Sequence, residues 1–410
     1  MLKKRVVITG TGSITPIGTS TKEFWRNLVS GKSGFSIISS FDCSNYPVKV
    51  GAEVKDFDPL KFMDIKRVDR TSLATQYGIA ATRMALEEAN LKMSEERPER
   101  VGCIIATSGG LHLLLNTGEV LKNKGPMRID PLLLSKVAPS MVPAIIALEF
   151  GFKGPNSSVN SACASGNDAL GTALNLIRNG HADVIFAGGT ETQVNPLSIA
   201  LCSRVGAMSR ESDPEKACRP FDFNRSGMVF GDGAGILVLE SLEHALKRNA
   251  PILAELAGAG WSFDAYNETA PDPQQELIAM QMAVQDAEIS VDEIDYVNAH
   301  GTGTRFNDIS ETKALKMLLG KRAYDVPVSS NKSMIGHLAC ASGAIEAIAA
   351  VMTIKENLIP PTIHYETPDP DCDLNYVPNV AISKEVNVCL SNAFGMGGQN
   401  CCLIIKKYSS

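Results

Sequence analysis

No stretch of this sequence is long and apolar enough to cross a bilayer. A spanning helix needs about 20 predominantly apolar residues; the best candidate, ASGAIEAIAAVMTIKEN at 341–357, carries Glu346 and reaches Lys355. The start, MLKKRVVITGTGSITPIG, sets basic residues before an apolar run as a secretory leader does. That run, from Val6 to Ile8, is too short and gives way to threonine, serine and glycine. Paired cysteine motifs are also absent. The ten cysteines include no CxxC and no Cys/His pattern at zinc spacing, so we expect no metal and no dithiol redox motif. Scattered through a long chain, they suit reduced core thiols in a soluble, cytoplasmic protein without a membrane partner. Positive charge is not in excess: the net charge of −6 argues against a nucleic-acid partner. Histidine is scarce, with six in 410 residues, so the place of each carries information.

What is present describes an ordinary globular chain, 44% hydrophobic and 20% charged, long enough to bury a large core. The continuous apolar runs RVVITG, VGCIIATSG, ADVIFAGG and GAGILVLE read as strands buried on both faces. Between them STKEFWRNLVSG, TQYGIAATRMALEEANL and GNDALGTALNLIRNG show helical periodicity. After about residue 250 the succession recurs. PILAELAGAGWS, IDYVNAH and VPVSSN are strand-like, and PQQELIAMQMAVQDAEI is helical with Leu277, Met280 and Val284 on one stripe. ISETKALKMLLG and SGAIEAIAAVMTIKENL are also helical; the second is apolar almost all round, which places it between layers. NVCLSNAFGMGGQNCCLIIKK closes the chain as two strands around a glycine turn. The pattern predicts an α/β protein of two similar halves, with a helix layer buried between sheets.

Within that frame VNSACASGNDALG, 159–171, sets Cys163 among small residues where a strand ends and a helix begins. A thiol at a helix start lies near the positive end of the dipole, which favours the thiolate. Small neighbours leave room for a bulky substrate. Against this stands the common state of a free cysteine, a packed core thiol. Three further glycine-flanked stretches bear on the choice. VNAHGTGT puts His300 after a strand, SSNKSMIGH puts Lys332 and His337 in a loop after another, and NAFGMGGQN turns between two strands. Singly, each has a bland explanation: a satisfied histidine, a solvated lysine, a hairpin with positive φ. Together they supply a thiol, two imidazoles and an ammonium group at strand-to-loop junctions, where open-sheet proteins place their ligands. A cysteine paired with one histidine as base leaves the second imidazole without a role. Two neutral imidazoles, each presenting an N–H, can instead hold the oxygen of an enolate formed beside a thioester. Loss of one such donor costs about a hundredfold to a thousandfold in rate.

NSACASG, HGTGT, NKSMIGH and AFGMGGQN resemble, in order and spacing, the four active-site motifs of β-ketoacyl-acyl-carrier-protein synthases. The resemblance is closest to the elongating type II enzymes with a Cys-His-His triad, and runs from RVVITGTG through RPFDFNRSGMVFGDGAG to the C-terminal strands. It implies a thiolase-like fold, duplicated halves forming a five-layered α-β-α-β-α sandwich, usually dimeric. Residues 1–250 would carry the nucleophile, and residues 251–410 the two histidines and the lysine. Carried over by position, Cys163 accepts an acyl chain from carrier-protein phosphopantetheine, and His300 and His337 support decarboxylation of malonyl-carrier protein. Lys332, with Glu346 as its acidic partner, orders the site electrostatically. Thr302 and Thr304 contact the pantetheine arm, the backbone N–H groups of Cys163 and Met396 form an oxyanion hole, and Phe394 and Met396 belong to the gate. The implied products are a 3-oxoacyl chain two carbons longer and carbon dioxide, with no nucleotide or redox cofactor.

Some positions depart from the family pattern. Members serving bulk fatty-acid synthesis usually read Phe at the position of Met396 and Thr at that of Gln399. They often have bulkier apolar residues where Ser108 and Cys202 would line the acyl pocket. These changes raise a specialised polyketide or polyene pathway, with a chain-length factor as partner, as the alternative to fatty-acid elongation by a homodimer. A thiolase would need a second reactive cysteine where FGMGG stands, and a silent chain-length partner would lack Cys163. ITGTGSITPIG half-resembles a dinucleotide fingerprint, but Gly18 falls late and no acidic ribose partner follows. Lys66 and Arg67, in DIKRVDR, form a candidate docking patch for an acidic carrier protein, with a solvated helix face as the rival explanation.

Overall fold

The computed structural model describes residues 4–409; residues 1–3, part of the basic start, lie outside the described residues. The continuous apolar runs become the strands of one sheet. In chain order these are β1 (Val6–Ile14), β2 (Val101–Ala106), β3 (Asn156–Val159), β4 (Val184–Thr192) and β5 (Asp232–Ser241). Then follow β6 (Ala254–Phe263), β7 (Tyr296–Asn298), β8 (Val328–Ser329), β9 (Val388–Phe394) and β10 (Gln399–Lys406). Every residue of β1, β2, β4 and β5 is buried, as expected for strands covered on both faces. Five helices set the layers: α1 (Leu73–Glu88), α2 (Ser165–Arg178), α3 (Pro273–Asp286), α4 (Arg305–Leu319) and α5 (Ser342–Glu356).

The spatial order is β3-β2-β4-β5-β1 followed by β6-β10-β9-β7-β8. Both halves obey one rule. The first strand of the half lies antiparallel to its fifth, the fifth antiparallel to its fourth, and the fourth and third flank the second in parallel. The duplication that the order of elements suggested is therefore a repeated topology. The halves join where β1 pairs with β6 at Val7–Glu255 and Ile8–Ala254. Helix α1 covers β1, β4 and β5 on one outside face, α3 covers β6, β9 and β10 on the other, and α4 packs on α3. Helices α2 and α5 touch strands of both halves, which gives the five-layered α-β-α-β-α sandwich. Residues 342–354 of α5 are all buried, which is why that helix has no polar face.

The glycines of the first strand serve this packing. A Cβ on Gly10 would lie 2.2 Å from the carbonyl oxygen of Ala85, and one on Gly12 would lie 1.9 Å from that of Ala81. Helix α1 occupies the space a pyrophosphate would need, so the partial dinucleotide fingerprint is a helix-to-strand contact. Two expected boundaries move. Helix α4 begins at Arg305, directly after the HGTGT loop. Lys332 opens a one-turn helix, Lys332–Ile335, in place of the expected loop, and Gly336 at φ 73° ends it. All ten cysteines are unpaired, and among the described residues no helix is long and apolar enough to cross a membrane.

Candidate active site

The candidate site residues arrive from four strand ends. After β3, Asn160 to Ala164 form a tight turn, with Ala162 held at φ 51°, before α2 begins at Ser165. Cys163 sits on that turn, one residue outside the N-cap. His300 follows β7, Lys332 and His337 follow β8, and Met396 lies in the glycine turn between β9 and β10, where Gly397 and Gly398 adopt φ of 97° and 93°. Strand order thus collects motifs that lie up to 233 positions apart, from Cys163 to Met396.

The thiol of Cys163 and one ring nitrogen each of His300 and His337 lie within 4.8 Å of one another. The two rings meet edge to face with centroids 5.4 Å apart, and Phe394 packs edge-on against His300 at 5.8 Å. Their hydrogen bonds fix both tautomers. Nδ1 of His337 accepts the backbone N–H of Ala339 at 3.2 Å and lies 2.8 Å from the Ser342 hydroxyl. That hydroxyl accepts the N–H of Leu338, which leaves its own proton for the ring. Nδ1 of His300 faces the Lys332 ammonium at 3.5 Å, and an ammonium can only donate. A neutral ring whose Nδ1 accepts carries its proton on Nε2, and Nε2 of His337 is buried with no partner. Although the trio has zinc-ligand composition, an Nε2–H has no lone pair to offer a metal.

Burial holds both imidazoles well below their ordinary value, helped by the Lys332 charge and, at His300, by the neighbouring His337. Both rings are neutral at physiological pH. Lys332 and Glu346 form an ion pair in which both side chains are fully buried. Cys163 differs from expectation. Burial pushes its thiol above the usual cysteine range, against the pull of the Met396 N–H, the Lys332 charge and its own N–H. The position beside a helix start therefore does not by itself make a resting thiolate.

A cavity of about 330 Å³ opens onto this group, with Cys163, His300, His337, Thr302, Thr304 and Met396 in its wall. Phe394 is 5% exposed and Met396 43%, so the methionine rather than the phenylalanine faces the opening. The Thr302 and Thr304 hydroxyls lie 2.8 Å apart. Ser108 and Cys202 are not among the residues lining this cavity. The Ser108 N–H donates to Glu191 at 2.9 Å, and Cys202 is half-buried on the helix Pro196–Val205 with its thiol pushed up to about 11 by burial. Lys66 is exposed on the short helix Ile65–Arg70, whereas Arg67 is bound to Glu149 at 2.9 Å.

Sequence reasoning passed over Glu311. This buried carboxylate accepts the N–H groups of His300 and Gly301, each at 2.8 Å, and the Asn392 amide at 3.0 Å, so it sets the angle of the histidine loop against the glycine-turn strand. Burial raises its pKa to about 7. In the sequence it is one acidic residue on a helix, and only the fold brings it under His300. The wall formed by residues 264–271 was equally silent.

Comparison with known proteins agrees with this geometry. The model of the β-ketoacyl synthase N-terminal domain matches residues 3–245, and that of the C-terminal domain matches residues 253–366. The chain is 44% identical over 410 residues to 3-oxoacyl-[acyl-carrier-protein] synthase 2 of Synechocystis sp., covering 99% of each. It is 41% identical over 411 residues to the protein of that name from Coxiella burnetii, again covering 99% of each. Among solved structures it superimposes on the ishigamide ketosynthase/chain length factor with a TM-score of 0.93 and 36% identity, over 99% of this chain and 100% of that one. It also matches the type II PKS assembly AntDE:AntF, an acyl-carrier protein in complex with its ketosynthase, at a TM-score of 0.89 and 34% identity, with the same coverage. The topology, the site and these matches agree: the chain belongs to the β-ketoacyl synthase family of thiolase-like condensing enzymes.

Proposed function

We propose that the protein joins an acyl chain held on Cys163 to malonyl-acyl-carrier protein, giving 3-oxoacyl-carrier protein and carbon dioxide. The observation that carries this reading is one thiol facing two imidazoles locked as Nε2–H donors. In the first half-reaction the Cys163 sulfur attacks the thioester of an acyl-carrier protein. The N–H groups of Cys163 and Met396 hold the oxyanion, and the phosphopantetheine thiol leaves with the proton the cysteine gives up. In the second, malonyl-carrier protein loses carbon dioxide and the Nε2–H groups of His300 and His337 hold the enolate oxygen. The carbanion then attacks the acyl carbonyl, the carbon–sulfur bond to Cys163 breaks, and the expelled thiolate takes a proton from solvent to restore the thiol. Neutral rings suit this task, because each donates its Nε2–H to the enolate oxygen yet is too weak an acid to protonate the carbanion. Lys332, neutralised by Glu346, keeps His300 in its donor tautomer. No group beyond the carrier's phosphopantetheine arm enters the chemistry, and Thr302 and Thr304 are placed to meet that arm.

In this reading residues 1–250 supply the nucleophile and residues 251–410 the malonyl-side donors. Fatty-acid elongation is the first assignment, on the names of the relatives at 41–44% identity. A polyketide or polyene ketosynthase working with a chain-length factor is the second, favoured by the flexible Met396 in the gate turn and by the likeness to the ishigamide structure. Ser108 and Cys202 are proposed as acyl-pocket residues, although neither lines the cavity described above. Lys66 is proposed as a carrier-docking residue in a cytoplasmic enzyme; Arg67, committed to Glu149, is a poorer candidate.

A reaction with malonyl-carrier protein and a panel of acyl-carrier proteins, with products weighed intact, tests the assignment. The expected products are two carbons longer than the primer. With Cys163→Ala elongation is expected to vanish while malonyl decarboxylation persists; elongation by that variant would overturn the reading.

A further inference from the structure

The turn that carries Cys163 is strained and short, and its hold extends beyond the four motifs. Ala162 sits at φ 51°, a left-handed conformation that is unfavourable for a non-glycine residue and persists only where neighbours enforce it. One hydroxyl, that of Ser165, does part of this. The Ser161 N–H donates to Ser165 Oγ at 2.8 Å, and the Ser165 hydroxyl donates to the carbonyl of Ala162 at 2.5 Å. The rest falls to Asp168, in the first turn of α2. Its Oδ2 accepts the Ser161 hydroxyl at 2.9 Å, and its Oδ1 accepts the indole N–H of Trp261 at 3.0 Å. Trp261 belongs to β6, the first strand of the second half. Its ring also packs against the small cluster of Ala164, Ala393 and Cys401 beneath the nucleophile turn. Gly171 is required there, because a Cβ on it would lie 2.5 Å from the indole.

We propose that Asp168 is a positioning residue for the acyl-loading half-reaction, a bridge that ties the Cys163 turn to Trp261 of the opposite half. One carboxylate holds the residue two before the nucleophile and, through its other oxygen, a ring anchored in the second half of the sheet. The sulfur is thereby fixed relative to the histidines and the Met396 N–H, all of which that half supplies. Hydrogen bonds to a charged group are among the stronger ones, and a misplacement of about 1 Å at a reacting atom costs up to about a hundredfold in rate. Decarboxylation at His300 and His337 does not use the sulfur, so it is insensitive to the bridge. The inference rests on the assignment of Cys163 as the acyl acceptor.

The test compares wild type with Asp168→Ala, Asp168→Asn and Trp261→Phe in three readouts. These are acyl transfer from acyl-carrier protein to Cys163, alkylation of Cys163 by iodoacetamide, and malonyl-carrier protein decarboxylation, with Tm alongside. For Asp168→Ala we expect loading and alkylation to fall about ten- to hundredfold, with decarboxylation within about twofold of wild type. Asp168→Asn, which still accepts at one oxygen, recovers part of the loss, and Trp261→Phe shows a smaller loss of the same kind. Wild-type loading and alkylation in Asp168→Ala would overturn the proposal. So would a parallel fall of all three readouts together with Tm, which marks a merely structural role. A wild type that never acquires an acyl group would instead sink the assignment of Cys163 itself.

Discussion

At the scale of single residues, the chemistry depends on where protons sit. His300 and His337 are neutral because protonation would place a charge in a buried site beside the Lys332 ammonium. Each ring is a donor at Nε2 because its Nδ1 faces a donor. The sign of the shift gives a direct test: a histidine held below its usual value of about 6.5 stays neutral as the pH falls through that value. Ring ¹⁵N shifts of the two histidines should therefore remain those of the neutral Nε2–H form at pH 6. A titration centred near 6.5 in either ring would contradict the burial argument. The partner of Lys332 invites a second test. Removing one member of a buried ion pair leaves the other charge uncompensated, so Glu346→Ala should lose about 3–5 kcal/mol in chemical denaturation, and an exposed pair would lose far less. Residue identities in the four motifs were legible in the sequence because cysteine, histidine and lysine between glycines are uncommon. Glu311 and Asp168 were not legible, since a carboxylate on a helix looks the same whether it faces solvent or holds a catalytic turn.

Among secondary-structure elements, apolar runs and helical spacing located nearly every strand and helix of the sheet and its layers. What they did not show is why certain residues must be small. Gly10 and Gly12 looked like half of a nucleotide fingerprint, and only the packing of α1 on β1 shows that they admit a helix backbone. Gly12→Ala would force its Cβ into the Ala81 carbonyl, so destabilisation of about 3 kcal/mol is expected, the upper end of what overpacking costs. Unchanged stability would mean that α1 does not approach β1 as described. Helix boundaries were the weaker part of the sequence reading. Helix α4 extends back to Arg305, where Asp308 in its first turn accepts the Gly303 N–H of the HGTGT loop at 3.2 Å, a bond that periodicity cannot report. The buried helix α5 was legible for the opposite reason: a helix without a polar face has few places to go.

On the scale of the whole molecule, the repeated topology brings two halves together, and the candidate site forms where their strand ends meet. One surface remains unexplained by the single chain. Leu111, Leu114, Leu115, Leu121 and Leu134 are exposed, and the segment holding the first two lies against the helix Pro196–Val205, where Leu201 is exposed as well. Exposed leucines gathered on neighbouring helices are a candidate face for another protein. The expected cover is a second subunit, either another copy of this chain or a related one. Leu115→Asp with Leu134→Asp should shift the protein toward the monomer in sedimentation. A wild type that sediments as a monomer at micromolar concentration would show that no second copy of the chain covers this face. The sequence could not show this, because the leucines follow ordinary helical spacing and only their exposure sets them apart.

The most direct measurement is intact-protein and peptide mass analysis after mixing the enzyme with an acyl-carrier protein, before and after malonyl-carrier protein is added. The account predicts one acyl group on the peptide containing Cys163, discharged on addition of malonyl-carrier protein as a chain two carbons longer. An acyl group elsewhere, or none, or a loaded Cys163 that malonyl-carrier protein fails to discharge, would contradict it.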